Sequence, residues 1–174
     1  LTRAGVTDQD TVLIPGASGG VGGALLQLAK LRGARVIAMA SEAKHADVAA
    51  FGPDLILPRA PDDLRAALGG EKVTVVADVV GGTQWPALVD VLQRGGRYTC
   101  SGAIAGPLVE LDLRTLYLRD LTFTGSTVIP IGVMQRLAKY IEDGSVRPVL
   151  AAVYPLEELR EAQAAFISKK LTGN

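Results

Sequence analysis

Short runs of apolar, often β-branched residues alternate along the chain with stretches whose apolar positions recur at helical spacing. Thr11-Val12-Leu13-Ile14-Pro15 reads as a first strand, and residues 20–32 as a first helix stopped by Gly33. A second strand, Arg35-Val36-Ile37-Ala38-Met39-Ala40, precedes a short helix over residues 43–51 that Gly52-Pro53 ends. Asp54-Leu55-Ile56-Leu57 is a third strand closed by Pro58, and a polar helix over 61–68 leads to a fourth, Val73-Thr74-Val75-Val76-Ala77-Asp78. Gly81-Gly82 turns the chain into a helix over 84–93, and Gly95-Gly96 starts a fifth strand, Arg97-Tyr98-Thr99-Cys100. The pattern then loosens. A Gly/Ala loop at 102–107 and a short helix at 111–119 lead to a sixth strand, Leu121-Thr122-Phe123-Thr124-Gly125-Ser126. Pro130 suits the first turn of a helix over 132–143, which carries Val133, Leu137, Tyr140 and Ile141 on one face. An extended segment at 148–153 and an amphipathic helix at 155–170 complete the pattern. Alternation with short connections predicts an α/β fold: a doubly wound parallel sheet of about six strands, with helices on both faces.

Composition narrows this picture. The chain is 48% apolar but only 5% aromatic, which suits parallel strands buried on both faces. Its 174 residues read as one domain with its own core. Lys plus Arg and Asp plus Glu balance at 18 each, so no net field argues for nucleic acid or an anionic membrane. Cys100 is the single cysteine, which excludes a disulfide framework or a cysteine zinc cluster within the chain. No apolar run is long enough for a transmembrane helix, and no basic-then-apolar signal opens the chain, so a cytoplasmic protein is the default. The chain begins at Leu1 and reaches its first strand within a dozen residues, as a domain cut from a longer protein does.

Candidate chemistry lies in the loops after the strands. Ala17, Ser18, Gly19, Gly20, Val21 and Gly22 stand between the first strand and the first helix. Glycines there let the backbone turn and approach a pyrophosphate, and the free amides of the helix start donate to its oxygens. This strand–glycine–helix context is the dinucleotide-binding turn of a Rossmann fold. After the second strand, Ala40 and Ser41 occupy the place where an NAD site carries an acidic ribose ligand, and Lys44 follows. A small residue, a hydroxyl and an ammonium suit a 2′-phosphate and favour NADP(H) over NAD(H); Glu42 is the competing acidic reading. Asp78, Val79 and Val80 after the fourth strand, and Ser101, Gly102 and Ala103 after the fifth, fall on the same sheet edge and can bed the ribose and nicotinamide. Asp78 has a plainer reading as a carboxylate that caps its own turn. Cys100 reads as a small buried residue and His45 as a surface histidine.

Gly16-Ala17-Ser18-Gly19-Gly20-Val21-Gly22, Ala40-Ser41-Glu42-Ala43-Lys44, Asp78-Val79-Val80-Gly81-Gly82 and Gly95-Gly96-Arg97 resemble, in order and spacing, the motifs of medium-chain dehydrogenases/reductases. The branch it is similar to holds the quinone oxidoreductases and zinc-binding alcohol dehydrogenase-like proteins. The resemblance covers the whole chain and implies that residues 1–174 are the cofactor domain. A GroES-like N-terminal domain, which lies outside this chain, would carry most of the substrate pocket and any zinc ligands. It implies hydride transfer between the nicotinamide and a carbonyl, quinone or activated alkene, with no catalytic residue and no metal ligand in this chain. It also implies a homodimer paired through the edge strand Leu121 to Ser126.

Other nucleotide enzymes fit less well. No tyrosine has a lysine four residues later, as a short-chain dehydrogenase requires, and Gly22 is followed by Gly23-Ala24 where a P-loop needs Lys-Ser/Thr. A methyltransferase would not need the phosphate-binding pattern of Ser41 and Lys44. A non-catalytic module that senses NADPH, or a structural use of the same fold, remains the alternative.

Overall fold

The computed structural model describes residues 1–128, 131–168 and 170–173. The first half alternates as β1 (Thr11–Pro15), α1 (Gly20–Leu31), β2 (Arg35–Ala40), α2 (His45–Ala49), β3 (Leu55–Pro58), α3 (Leu64–Ala67) and β4 (Val73–Asp78). It continues as α4 (Trp85–Asp90), β5 (Leu92–Cys100), α5 (Leu113–Leu118), β6 (Thr122–Gly125), α6 (Val133–Glu142) and α7 (Leu159–Ile167). Single 3₁₀ turns at Glu42–Lys44, Gly82–Gln84 and Leu156–Glu158 lead into α2, α4 and α7. The six strands form one sheet in the order β3-β2-β1-β4-β5-β6, and every paired ladder is parallel. The reversal of direction falls between β1 and β4, where open sheets of this type bind ligands.

Alternate side chains feed two cores. Val12, Ile14, Val36, Ala38, Val75 and Ala77 pack with Leu26 and Ala29 of α1 on one face. Leu13, Ile37, Met39, Val76 and Tyr98 pack with Trp85, Leu88 and Val89 of α4 on the other. The central strands therefore read as unbroken apolar runs, as strands covered on both sides must. The buried positions of α1 are Gly22, Gly23, Leu26 and Ala29, a narrow stripe of mostly small residues that brings the helix close to the sheet. No helix among the described residues is long and apolar enough to cross a membrane.

The predicted fold class holds, and the differences lie at element ends. β5 starts at Leu92, before the glycine pair, and its pairing with β4 shifts register between Val73 and Val75. The predicted helix over 84–93 accordingly ends at Asp90. The polar helix over 61–68 shortens to Leu64–Ala67, because the Asp63 carboxylate accepts from the Ala66 amide and starts the helix there. β6 spans four of the six predicted residues. In α6, Val133, Leu137 and Tyr140 are half-buried while Ile141 is exposed, so its apolar face is only partly covered. Residues 148–153 join no strand ladder, and Pro130 lies outside the described residues.

At the amino end of the sheet, away from the loops of interest, one carboxylate ties three strands together. Asp10 is buried and accepts from the Thr7 amide (2.8 Å), the Thr7 hydroxyl (3.2 Å) and the Thr74 hydroxyl (2.7 Å). It also accepts from the Arg97 guanidinium, which in turn donates to the carbonyls of Ala4 and Gly5. Burial alone would raise the Asp10 carboxyl, but these donors and the Arg97 charge outweigh it and hold it below the usual range. A depressed carboxylate stabilises the fold above its unfolded value of about 3.9 and loses that contribution as pH falls through its folded value. Asp10→Asn is expected to cost about 2 kcal/mol at neutral pH, the scale of hydrogen bonds to a charged group. In urea denaturation from pH 7 to pH 3, the gap to wild type should close as pH drops below about 4. A gap that stays constant would show that the charge of Asp10 does not stabilise the fold.

Candidate functional site

The connection from β1 to α1 is built around one carbonyl. Gly16 follows Pro15 with φ +68°, a left-handed conformation that glycine adopts without strain. Its carbonyl accepts from the Gly19 amide (3.1 Å), and a Cβ added at Gly22 would lie 2.1 Å from the same oxygen. The first turn of α1 thus sits directly on the Gly16 carbonyl. A Cβ at Gly16 would meet Val80 Cγ2 at 2.9 Å, so the turn also rests on the loop after β4. Gly19 differs from both. It is exposed, its φ of −83° and ψ of 166° suit any residue, and an added Cβ would touch nothing nearer than 3.5 Å. It is the N-cap of α1, and no side chain caps the helix. The amides of Gly20, Val21 and Gly22 precede the first helical bond, from Gly23 to Gly19, and no acid stands in the first turn. The helix start therefore offers donors and the positive end of its dipole to an anion.

The neighbouring loops are stitched to this turn. The Ala17 amide donates to the Met39 carbonyl of β2 (3.1 Å), and the Ser101 amide donates to the Asp78 carbonyl of β4 (3.0 Å). A Cβ at Gly102 would lie 3.0 Å from the Val79 carbonyl, so the loops after β4 and β5 are in close contact. Ala17 and Ala40 are buried; Ser18, Gly20, Ser41, Lys44, Val79, Val80, Gly102 and Ala103 are half-buried; Val21 and Ser101 are exposed. The structure thus brings the sequence-selected residues of four loops to one sheet edge.

Asp78 takes part through the backbone. Its side chain is 0% exposed; Oδ1 accepts from the amides of Val80 (2.6 Å) and Gly81 (3.1 Å), and Oδ2 from Gly81 (3.1 Å) and the Tyr98 hydroxyl (2.5 Å). This is the turn-capping role, and it leaves the carboxylate no face toward solvent. Burial, and then the Asp78 carboxylate, raise the Tyr98 hydroxyl well above its usual value. His45 pairs with the Ala40 carbonyl (3.1 Å), and the Cys100 thiol donates to the Gly102 carbonyl (3.3 Å), so both are tied to local backbone.

Two contributors were not read from the sequence. The segment after α7 returns to the glycine turn, where the Gly173 amide donates to the Ser18 carbonyl (2.9 Å) and Gly173 pairs with Gly19 in an isolated parallel bridge. The Thr172 hydroxyl donates to Asp47 (2.7 Å) and Lys44 Nζ to the Leu171 carbonyl (2.5 Å). The local signal was Gly173 itself, whose φ is +88° and whose Cβ would lie 2.4 Å from the Val149 carbonyl. The second contributor is Tyr98, which sequence offered only as a strand residue. It borders an open apolar cavity of about 370 Å³, also lined by Trp85, Cys100, Leu111 and Phe123.

A family profile described as zinc-binding dehydrogenase matches residues 20–143, from the start of α1 past the end of α6. The chain belongs to the zinc-binding dehydrogenase family. The resemblance to medium-chain dehydrogenases/reductases read from the four motifs is borne out. A candidate alcohol dehydrogenase from Sinorhizobium meliloti superimposes with a TM-score of 0.94 at 45% identity, over 99% of this chain and 49% of its own. The acryloyl-coenzyme A reductase of Metallosphaera sedula is 30% identical over 99% of this chain and 52% of its own length. The 2-octenoyl-CoA carboxylase reductase CinF, solved with NADP and 2-octenoyl-CoA, has a TM-score of 0.89 at 30% identity over 98% of this chain and 43% of its own. The chain therefore spans about half the length of the relatives it matches. The family name implies zinc, yet no group of three or more His, Cys, Asp or Glu among the described residues could hold a metal ion. The described residues do not fit a zinc site.

The two key glycines should separate in the laboratory. Gly22→Ala forces a Cβ onto a backbone oxygen and should cost about 2 kcal/mol or more of stability, as overpacking does. Gly19→Val, in extended backbone with open space, should change stability by less than about 1 kcal/mol. Chemical denaturation of both variants checks this; equal losses would contradict the assignment of Gly16 as the oxygen on which α1 rests.

Proposed function

We propose that this chain is the NADP(H)-binding domain of an oxidoreductase that transfers hydride between the nicotinamide and a carbonyl, quinone or activated alkene. The observation that carries this reading is Gly19. A helix N-cap accepts Ser, Thr, Asp, Asn or Gly, and here the cap carries no side chain although neither backbone conformation nor packing within the chain calls for glycine. A ligand that must approach the backbone closely supplies the reason. The amides of Gly20, Val21 and Gly22 bind its pyrophosphate. Ser41 and Lys44 bind a 2′-phosphate, a stronger acceptor for Lys44 than the Leu171 carbonyl it now meets. Val79, Val80 and residues 101–103 bed the ribose and nicotinamide, and Asp78 holds the turn that presents Val80. When bound, the nicotinamide supplies or accepts the hydride. The acyl-CoA reductase relatives support an activated alkene as substrate class, and the CinF complex with NADP supports the cofactor. The substrate pocket is completed by protein outside this chain, in keeping with its half-length match to its relatives.

Paired titrations of NADPH and NADH, read by nicotinamide fluorescence or calorimetry at two salt concentrations, test this. NADPH should bind more tightly and weaken with salt. Lys44→Ala should lower NADPH affinity about 10- to 100-fold, the worth of one or two charge-assisted hydrogen bonds, with a much smaller loss for NADH. Gly19→Val should remove binding of both. Equal losses from Lys44→Ala would sink the 2′-phosphate assignment, and undiminished binding by folded Gly19→Val would sink the pyrophosphate cradle.

The edge of the sheet points to self-association. β6 is the last strand, and Leu113, Tyr117 and Leu118 of the preceding α5 are exposed apolar side chains. An unpaired strand edge favours a two-fold homodimer. Sedimentation at micromolar concentration should give the mass of a dimer, and Gly125→Pro, whose amide faces away from β5 because that of its neighbour Ser126 bonds to Cys100, should shift it toward monomer. A wild-type monomer would exclude this pairing.

A further inference from the structure

The glycine turn is held in place from the other side of the sheet by a chain of contacts that passes through no cofactor-facing side chain until its end. Tyr98, on β5, keeps its ring in an aromatic cluster, 6.2 Å from the Trp85 ring and 5.6 Å from that of Phe123 between centroids. Its hydroxyl reaches through the core to Asp78 at the end of β4. Asp78 is wholly buried, and the bonds of its carboxylate go to that hydroxyl and to the amides of Val80 and Gly81. Those amides set where the Val80 side chain sits, and Val80 Cγ2 is the atom that a Cβ at Gly16 would strike. Gly16 in turn presents the carbonyl on which Gly19 and Gly22 are placed.

We propose that Tyr98 and Asp78 are positioning residues for the dinucleotide: the Tyr98 hydroxyl orients the Asp78 carboxylate, which fixes Val80 under Gly16 and so sets the height of the glycine turn. The inference rests on the dinucleotide reading and adds to it a determinant that touches no ligand. A buried carboxylate deprived of one of its donors must turn or draw its remaining donors elsewhere, since a charge in an apolar core cannot be left short of partners. The Val80 and Gly81 amides are the donors that remain, so the adjustment is delivered to the loop that supports the turn. The cluster of Trp85 and Phe123 holds the tyrosine ring, so removal of the hydroxyl alone leaves the packing in place.

A double-mutant cycle tests this with NADPH and NADH as probes. Tyr98→Phe should lower affinity for both cofactors about tenfold and alike, because the 2′-phosphate is not involved. Asp78→Asn, which keeps the shape and removes the charge, should act in the same direction. Val80→Ala removes the contact through which the pair acts, so in the Val80→Ala background Tyr98→Phe should change affinity less than twofold. A purely structural tyrosine would lower stability in both backgrounds without this loss of effect. Folding of each variant is followed by near-ultraviolet circular dichroism. If wild type binds both cofactors and folded Tyr98→Phe binds them equally well, or if its effect persists undiminished in Val80→Ala, the positioning role is overturned while the cradle stands. If wild type binds neither cofactor, the dinucleotide reading falls and this inference with it.

Discussion

The close approach of α1 to the Gly16 carbonyl is the constraint on which the candidate site depends. With a would-be Cβ at Gly22 only 2.1 Å from that oxygen, the helix can start there only on a bare backbone. The same oxygen accepts from Gly19, and the Cα that bears it has room for no side chain beside Val80. Gly16 and Gly22 are thereby bound to one geometric condition: a helix must begin immediately above the carboxyl end of a central strand. The donors of its first turn are left facing outward. A polar or β-branched side chain at position 16 or 22 would push the helix away and close that opening.

Around this point the structure separates two tasks by depth. Residues close to the edge, Gly19, Ser41, Val79 and Ser101, make few demands on the core and leave backbone within reach of a ligand. Residues deeper in the sheet, Asp78 and Tyr98, bond to the chain and define where the edge lies. The opposite end of the sheet repeats the device with Asp10, Thr74 and Arg97, which bind β1, β4 and β5 to one another. Buried carboxylates at both ends of the central strands are each satisfied by several donors, as a low-dielectric interior requires.

The relation to known reductases and dehydrogenases extends over nearly all of this chain but only about half of each relative. The sheet edge and the glycine turn are thus contained within residues 1–174. Among the described residues no cluster of His, Cys, Asp or Glu is fit for zinc.

Periodicity alone determined the element order and the parallel sheet, because buried strands must be apolar throughout and α1 apolar on one stripe, whatever their neighbours. The glycine turn was legible for a similar reason: a left-handed Gly16 and a bare Gly22 answer to local geometry between adjacent elements. Ser41, Lys44, Val79 and Ser101 were legible by position, as residues that follow strands. What the sequence could not disclose lies between segments distant along the chain. The early start of β5 at Leu92 depends on a register shift against β4. The bond from Tyr98 to Asp78 joins residues twenty positions apart in sequence, and that from Gly173 to Ser18 spans almost the whole chain. No local propensity marks such pairs, since a tyrosine in a strand or a glycine near a terminus is common in either role. Only the packing of the sheet, which puts the ends of β4 and β5 side by side and lays the last residues over the first turn, decides which polar groups meet.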